Sequence, residues 1–504
     1  MPARHGADVL RRLRENPAEI WHRGERVKDV TTAPGFANGV HSLAALYDLQ
    51  WEHPSEMLFE SPATGDKVGR SFMIPRTKDE LKSISRMMKH WANFSMGMMG
   101  RSPDYLNRAI SAYAGGADFL GEQDPRFAEN IRRYHHHIRE NDLCLTHTLI
   151  HPQANRGAGV AQQADPFLGA RVKEERDDGI IIRGARMLAT LPSADEIMVF
   201  PSTLLTSNPD DAPYAFGFAI PCATPGLKFL CRETVDYGRS VYDHPLAARF
   251  EEQDAVVLFE DVFVPWERVF LYRDVDRCNR AYAATGSVMH MSHQVVVKNI
   301  AKTEFLLGLA SLMVDAIGVE KFQHIHEKVS DIWVTLESLK AFLRAAEEDA
   351  ALDSYGVMRP AWNPLDAARN FFPKTYGRLI QIIQQLGASG LVSMPTEADV
   401  TGPLAVDIKR YFQSARADAW ERIPLFRLAW DASLSAFATR QVLYEYYFFG
   451  DPVRMSSAVF NAHDRRPYMD LVREFLARGK DEAQSEAPSD KQGEVSLLET
   501  SIRI

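Results

Sequence analysis

The residues of this chain with the most chemical potential sit where an apolar run ends. In Asn141–Arg156, Leu143, Leu145 and Leu149 alternate in part with β-branched Thr146 and Thr148, as in a strand. The run breaks at His151-Pro152 and gives way to Gln153, Asn155 and Arg156. Proline pushes the residue before it towards an extended backbone and leaves an irregular segment whose polar groups need partners. A buried strand is therefore expected to end in a donor-rich loop, with His147 and Thr146 at its end. Such an end suits a flat heteroaromatic ligand, with amide side chains at its edges and a histidine facing its reactive atoms. A plain strand-to-loop transition with a satisfied histidine fits the same residues.

Two further groupings carry possible chemistry. In Gly100-Arg101-Ser102-Pro103-Asp104-Tyr105 the order Ser-Pro-Asp predicts a helix start, with Ser102 as N-cap and Pro103 as first helical residue. Arg101 then lies just outside an N-terminus that already favours an anion, and Tyr105 lies one turn in. Together they suit a carboxylate, a phosphate or a phenolate; a surface arginine beside a capped helix fits equally on spacing alone. In Met289-His290-Met291-Ser292-His293-Gln294 the two histidines lie three apart and face roughly the same way. A third metal ligand is missing, Gln294 being a poor one, so no metal site is expected. His290 as a proton acceptor near neutral pH is the better chemical reading, against two core histidines among methionines. The triplet His135, His136 and His137 lies among Arg132, Arg133, Arg139 and Glu140 and reads as solvated.

The elements that must position these residues fall into three regimes. Residues 1–142 read mainly as helices, as in Lys78–Trp91 with Leu81, Ile84, Met87 and Met88 at helical spacing. Residues 143–278 read as strands separated by turn groups such as Asn208-Pro-Asp-Asp and Thr224-Pro-Gly. Residues 279–477 return to long helices, Val295–Val314 and Ile325–Ala350 each showing a broad apolar stripe with a charged opposite face. Residues 478–504 lose apolar periodicity, and Lys480–Gly493 reads as a mobile polar tail. The expected class is α+β: a helical domain, a β-domain and a helical bundle.

Composition narrows the function classes. The chain has 504 residues and a net charge of -9, so it holds more than one structural unit and gives no support to nucleic-acid binding. Its four cysteines form no CxxC pair, which argues against a zinc site or a disulfide scaffold and for a reducing cytoplasm. No apolar run reaches the ~18 residues of a membrane helix, and the first segment is too charged for a secretory signal. No G-x-G-x-x-G follows a strand, so no nicotinamide-nucleotide site is recognisable.

Several segments, in order, resemble the two-component flavin-dependent phenol hydroxylases, the family of the 4-hydroxyphenylacetate 3-hydroxylase large component and the chlorophenol monooxygenases. The longest runs from Asp243-His-Pro-Leu-Ala-Ala-Arg-Phe to Val264-Pro-Trp-Glu-Arg-Val-Phe270. With it go Gly100-Arg-Ser-Pro-Asp-Tyr, Leu145-Thr-His-Thr, Pro152-Gln-Ala-Asn-Arg, Gly184-Ala-Arg-Met-Leu-Ala-Thr, Leu386-Gly-Ala-Ser-Gly and Phe449-Gly-Asp-Pro-Val-Arg. The resemblance covers nearly the whole chain. It implies an acyl-CoA-dehydrogenase-like fold, a homotetramer, and FAD taken up as FADH2 from a separate NAD(P)H:flavin reductase. With O2 the reduced flavin gives a C4a-hydroperoxyflavin, whose distal oxygen a deprotonated phenol attacks, ortho or, with loss of halide, para.

Residue by residue, the resemblance places Arg101, Tyr105, His147 and His290 around the phenol oxygen. Arg101 would stabilise the phenolate, and His147 or His290 would take or hold the proton. A cation beside a phenol lowers a pKa that starts near 10, and a phenolate is the better ring nucleophile. His147, Thr148, Gln153, Asn155, Arg156 and Thr190 would contact the flavin, with Gly387 and Ser389 at a second turn and Gly450, Asp451, Pro452 and Val453 at a third. Ser202 and Thr203 open a loop, to Tyr214, expected over the phenol. Substrate candidates are 4-hydroxyphenylacetate, substituted phenols, and tyrosine-derived phenols, free or carrier-tethered. The related 4-hydroxybutyryl-CoA dehydratases need cluster thiolates near the Arg101 region and after the His290 position; the nearest cysteine to Arg101 is Cys144 and His290–Glu304 has none. The alternative is an acyl-CoA-dehydrogenase-type enzyme that oxidises a thioester, with Glu304 or Glu397 as base.

Overall fold

Helices open the chain: α1 (Gly6–Glu15), α2 (Ala37–Glu52), α3 (Lys78–Phe94), α4 (Pro103–Gly115) and α5 (Pro125–Glu140). The computed structural model describes residues 3–152, 154–202, 205–206 and 208–485, with side chains to 478. In α3 the Thr77 hydroxyl accepts the Glu80 amide at 3.1 Å and the Glu80 carboxylate returns to Thr77, while Leu81, Ile84, Met87 and Met88 are buried at their helical spacing.

The N-terminal region is not wholly helical. β1 (Glu19–His22) and β2 (Glu25–Val27) form a hairpin whose turn, Arg23-Gly24, has positive φ at both residues. The central strands follow: β3 (Leu145–Thr148), β4 (Arg171–Arg176), β5 (Gly179–Thr190), β6 (Glu196–Val199), β7 (Phe216–Pro221), β8 (Leu227–Cys231), β9 (Asp254–Pro265) and β10 (Val269–Tyr272). They make a six-stranded sheet in the order β2-β1-β8-β9-β5-β4 and a four-stranded sheet in the order β10-β7-β6-β3. β1 runs parallel to β8, so the hairpin that sequence pattern assigned to the helical region belongs to the β-domain. Phe218 and Phe259, one from each sheet, pack edge to face at 6.2 Å.

The second helical region holds α6 (Val275–Ala284), α7 (Ser287–Ile317), α8 (Gln323–Glu348), α9 (Trp362–Gly387), α10 (Ala419–Ser433) and α11 (Ala436–Tyr447). α7 is the central member and packs on α3, α4, α8 and α9. Its polar side is therefore not the solvated face that periodicity suggested: His290, His293, Gln294, Lys298 and Lys302 are all buried. The His135–His137 reading changes likewise. His135 is buried on α5, where its Nε2 donates to the Phe72 carbonyl at 2.9 Å, and only His136 is exposed. All four cysteines are buried and unpaired. Among the described residues no helix is long and apolar enough to cross a membrane.

The chain up to Phe449 forms one unit, and a second begins at Gly450, inside the region 279–477 read from sequence as one helical bundle, with α12 (Pro452–Ala462) and α13 (Arg466–Ser485). α13 takes in the first residues of the segment read as a polar tail, and the rest of that segment lies outside the described residues.

A buried ionic lattice fastens the β-domain to the bundle. Asp254, opening β9, accepts from Arg440 of α11 at 2.8 and 3.0 Å and from Arg232 at 2.8 Å. Burial would raise the Asp254 pKa, but Arg440 and then Arg232 outweigh it and hold the carboxyl well below its usual range. Arg440→Met should destabilise the fold by about 3 kcal/mol in denaturant unfolding, since it strands buried carboxylates. A depressed carboxylate contributes stability that is full above the unfolded value of about 4 and is lost as pH falls through the folded value. The acid limb of the stability curve should thus be shallower in the variant.

Candidate active site

Two elements bring Arg101, Tyr105 and His147 together. Helix α4 starts at Pro103, as the Ser-Pro-Asp order predicted, and puts Tyr105 in its first turn. Ser102 does not cap it through its side chain; its hydroxyl instead donates to Asp104 at 2.6 Å. The segment before the helix is fixed by Glu252, whose carboxylate accepts the Gly100 amide at 3.0 Å and the Arg101 amide at 2.7 Å. Strand β3, buried along its whole length and paired in parallel with β6, presents His147 from the other side.

The Arg101 guanidinium lies 4.2 Å from the Tyr105 ring centre, 4.3 Å from that of Phe448 and 5.4 Å from that of Tyr444. These are cation–π distances. Its Nε and Nη1 are buried and meet no protein acceptor. A buried guanidinium left with free N–H groups between aromatic walls fits an anionic or strongly polar ligand atom. Tyr105 faces His147 at 5.9 Å between ring centres, and His147 meets Phe200 edge-on at 5.7 Å. Phe200 in turn packs on Tyr113 of α4 and Tyr282 of α6, at 5.8 and 5.3 Å. The His147 Nδ1 is buried without a partner. Burial, and then the charge of Arg101, hold the His147 pKa well below its ordinary value, so this imidazole is neutral.

His290 stands in a different relation. Its Nδ1 lies 3.3 Å from Nη2 of Arg108, one turn beyond Tyr105 on α4, and its Nε2 is buried without a partner. Burial and then Arg108 push its pKa well below the ordinary histidine range. A proton acceptor titrating near neutrality, the expectation from spacing, does not match this environment. His293 bonds Glu347 at 2.9 Å.

The residues expected at a flavin are spread more widely. Thr148 is fully buried and its hydroxyl donates to the Met187 carbonyl at 3.0 Å, so its side chain has no hydrogen left to donate to a ligand. Thr190 closes β5 with its hydroxyl donated to Asp254 at 2.8 Å. Asn155 and Arg156 are exposed, Asn155 turning the loop by accepting the Gly157 amide at 3.0 Å. Gly387 ends α9 where an added Cβ would stand 2.4 Å from Leu391, and Ser389 follows in a 3-10 turn. Gly450 has φ +110°, and Asp451 caps α12 by accepting the Val453 amide at 2.9 Å, with Pro452 as first helical residue. Ser202 is buried next to the expected cover loop, whose Leu205 carbonyl is held by Asn279 at 2.9 Å. Gln153 and Thr203 lie outside the described residues.

Sequence reasoning missed Phe448, Tyr444, Glu252 and Arg108. It also missed a buried cation pair behind Phe448, where Lys298 and Lys302 share Oε1 of Glu445. A signal existed for the last: His290, Gln294, Lys298 and Lys302 recur every four residues on an otherwise apolar helix.

The family described as 4-hydroxyphenylacetate 3-hydroxylase matches this chain in both halves, its N-terminal part over residues 5–271 and its C-terminal part over 278–477. The chain is 51% identical over 482 residues to the 4-hydroxyphenylacetate 3-monooxygenase oxygenase component of Geobacillus sp. (strain PA-9), covering 95% of this chain and 98% of the relative. It is 47% identical over 474 residues to the protein of that description from Thermus thermophilus, covering 94% and 97%. A crystal structure of an oxygenase component (HpaB) of 4-hydroxyphenylacetate 3-monooxygenase with FAD and 4-hydroxyphenylacetate superposes with a TM-score of 0.91 at 47% identity, over 95% of this chain and 99% of that one.

The packing around Arg101 yields a test. A Cβ on Gly100 would stand 2.1 Å from the Tyr444 hydroxyl. Gly100→Ala should therefore cost about 1–3 kcal/mol by overpacking. In a Tyr444→Ala background the same change should cost little, a coupling readable in a double-mutant cycle of unfolding free energies.

Proposed function

Because this chain belongs to the 4-hydroxyphenylacetate 3-hydroxylase family, we propose that its Arg101–Tyr105–His147 cluster receives the hydroxyl of a phenolic substrate for hydroxylation next to that group. The protein is an FAD-dependent aromatic monooxygenase with an acyl-CoA-dehydrogenase-like fold. The observation that carries the assignment of the site is the Arg101 guanidinium, walled by three aromatic rings with two nitrogens, Nε and Nη1, unmatched by protein.

The residues present fit a flavin dinucleotide. Arg156 and Asn155 give an exposed cation and an amide for phosphate and ring edges, beside the Gln153 position. His151, whose ring nitrogens are buried without partners, lies at the same loop. Thr190 contributes through its backbone and remaining lone pair, its hydroxyl hydrogen being given to Asp254. Gly387 and Ser389 form a second proposed flavin contact. Reduced FAD, when bound, supplies with dioxygen the electrophilic oxygen that the ring takes up.

The chain does the rest. Arg101 stabilises the phenolate over the phenol, which raises electron density on the ring carbon next to the oxygen. Tyr105, Phe200, Tyr113 and Tyr282 clamp the ring and keep water away. His147, neutral in its buried place, accepts a hydrogen bond from the hydroxyl at Nδ1. Ser202 would face the substrate substituent. A 4-hydroxyphenylacetate-like phenol is the substrate favoured by the 51% identity to a 4-hydroxyphenylacetate 3-monooxygenase component. The "oxygenase component" naming of the relatives supports a separate NAD(P)H:flavin reductase as partner. The assembly proposed is a homotetramer in the cytoplasm.

Two outcomes test this reading. Supplied with NADH, FAD and a generic flavin reductase, the protein should convert 4-hydroxyphenylacetate to the catechol, and without the reductase NADH should give no turnover. Arg101→Ala should cut kcat/KM by ~10-fold or more, because it removes a charge partner from a buried anion. The reduced flavin should then be consumed with release of hydrogen peroxide instead of product. Unchanged product yield in this variant would remove Arg101 from the site.

A further inference from the structure

Two arginines and an imidazole face His290. Arg108 faces it from α4, Arg359, which pairs with Asp353, from the hairpin after α8, and His293 from its own helix. The carboxylates nearby are engaged elsewhere: Asp104 accepts from Ser102 and Gln294, and Glu347 of α8 takes His293 and lies near Lys82 of α3. Arg108 is fully buried, and its Nη1 donates to the carbonyls of Ser71, at 3.0 Å, and Met73. No carboxylate is hydrogen-bonded to it, and burial lowers its pKa to about 9, so at neutral pH it is still a cation.

A guanidinium has donors and no acceptor. Its Nη2, 3.3 Å from the Nδ1 of His290, can only donate, so Nδ1 must carry the lone pair. A neutral imidazole with its lone pair at Nδ1 carries its hydrogen at Nε2. That Nε2–H is buried and unmatched by protein. A buried donor without a partner calls for an acceptor from outside the chain.

We propose that Arg108 is a positioning residue that locks His290 as a neutral Nε2–H donor, aimed at the oxygen of the phenolic substrate. This rests on the phenol-hydroxylase reading above for the identity of the acceptor, though not for the tautomer. The role of His290 is the reverse of a base: it holds the phenolate by donating and leaves the proton to others. Arg108 has a second effect, because a fixed cation against Nδ1 prevents the imidazolium that would trade the donor for a second charge. His290 should therefore stay a neutral donor through the working pH range.

The tautomer can be read without substrate or flavin. In protein labelled with 15N-histidine, the resonances missing from His290→Gln identify this ring; it should show Nε2 protonated and Nδ1 bare, unchanged from pH 5.5 to 8.5. An Nδ1–H tautomer, or a titration in that range, would overturn the proposal whatever the protein catalyses. In the flavin-loaded enzyme with reductase, Arg108→Met should raise the KM for the phenol about tenfold, with a smaller change in kcat. It should also add an ionisation in the histidine range to the pH profile of kcat/KM. Arg108→Lys, which keeps a donor beside Nδ1, should restore most of the affinity and remove that ionisation. A folded Arg108→Met enzyme with unaltered KM and pH profile would overturn the proposal. If that variant does not fold, the His290 resonances of the unmodified protein and the Lys variant's kinetics decide the question. Absence of hydroxylation by the unmodified protein, with the tautomer as stated, would instead count against the phenol-hydroxylase reading.

Discussion

The carboxylate of Glu252 is the tie on which the site depends. It accepts two successive backbone amides, Gly100 and Arg101, from the segment that leads into α4. Those amides precede the helix and have no place in its ladder, so without an acceptor they would be buried and unmet. Glu252 itself belongs to the approach to β9 and is backed by Arg440 at 3.4 Å. One side chain thus sets the position of α4 relative to the β-domain. Tyr105, Arg101 and Arg108 follow from that, since a helix placed at its first turn is placed along its length.

Buried charge here is of two kinds. Asp254, Glu252 and Glu445 are each paired with arginine or lysine; the first two tie the β-domain to α11 and the third ties α11 to α7, at the cost of desolvation. Arg101 and Arg108 have no carboxylate hydrogen-bonded to their guanidinium groups; they meet rings, carbonyls and an imidazole. Burial first, and then these cations, depress both site histidines, so the feature that prepares the site for an anion also helps keep His147 and His290 neutral.

The helix–strand–helix order, the α3 face and the start of α4 were legible because each follows from local chemistry: periodicity, a cap, a proline. Arg101, Tyr105 and His147 were legible as types at telling positions, and the fold brought them together. What was not legible depends on distant partners. The hairpin Glu19–Val27 is short and polar at its edge, and only its pairing with β8 makes it sheet. The polar side of α7 reads as solvated until α3, α4 and α11 are seen to cover it. Phe448 and Glu252 carry no motif of their own; they matter through the guanidinium and the amides they meet.

That pairing of β1 with β8 has a consequence for how the chain is made. Glu19 finds Lys228 as its register partner, and every strand of the central region before β8 leaves the ribosome in between. The earliest β-hairpin must wait, with one edge unpaired, until Leu227–Cys231 has been synthesised, and a contact so distant in sequence closes slowly. Brevity and charge protect it meanwhile: three residues of β2 and four of β1, with Glu19, Glu25 and Arg26 among them, make a poor template for a foreign strand. The N-terminal hairpin thus joins the six-stranded sheet only after strands made much later, although it is the first strand pair of that sheet in the sequence.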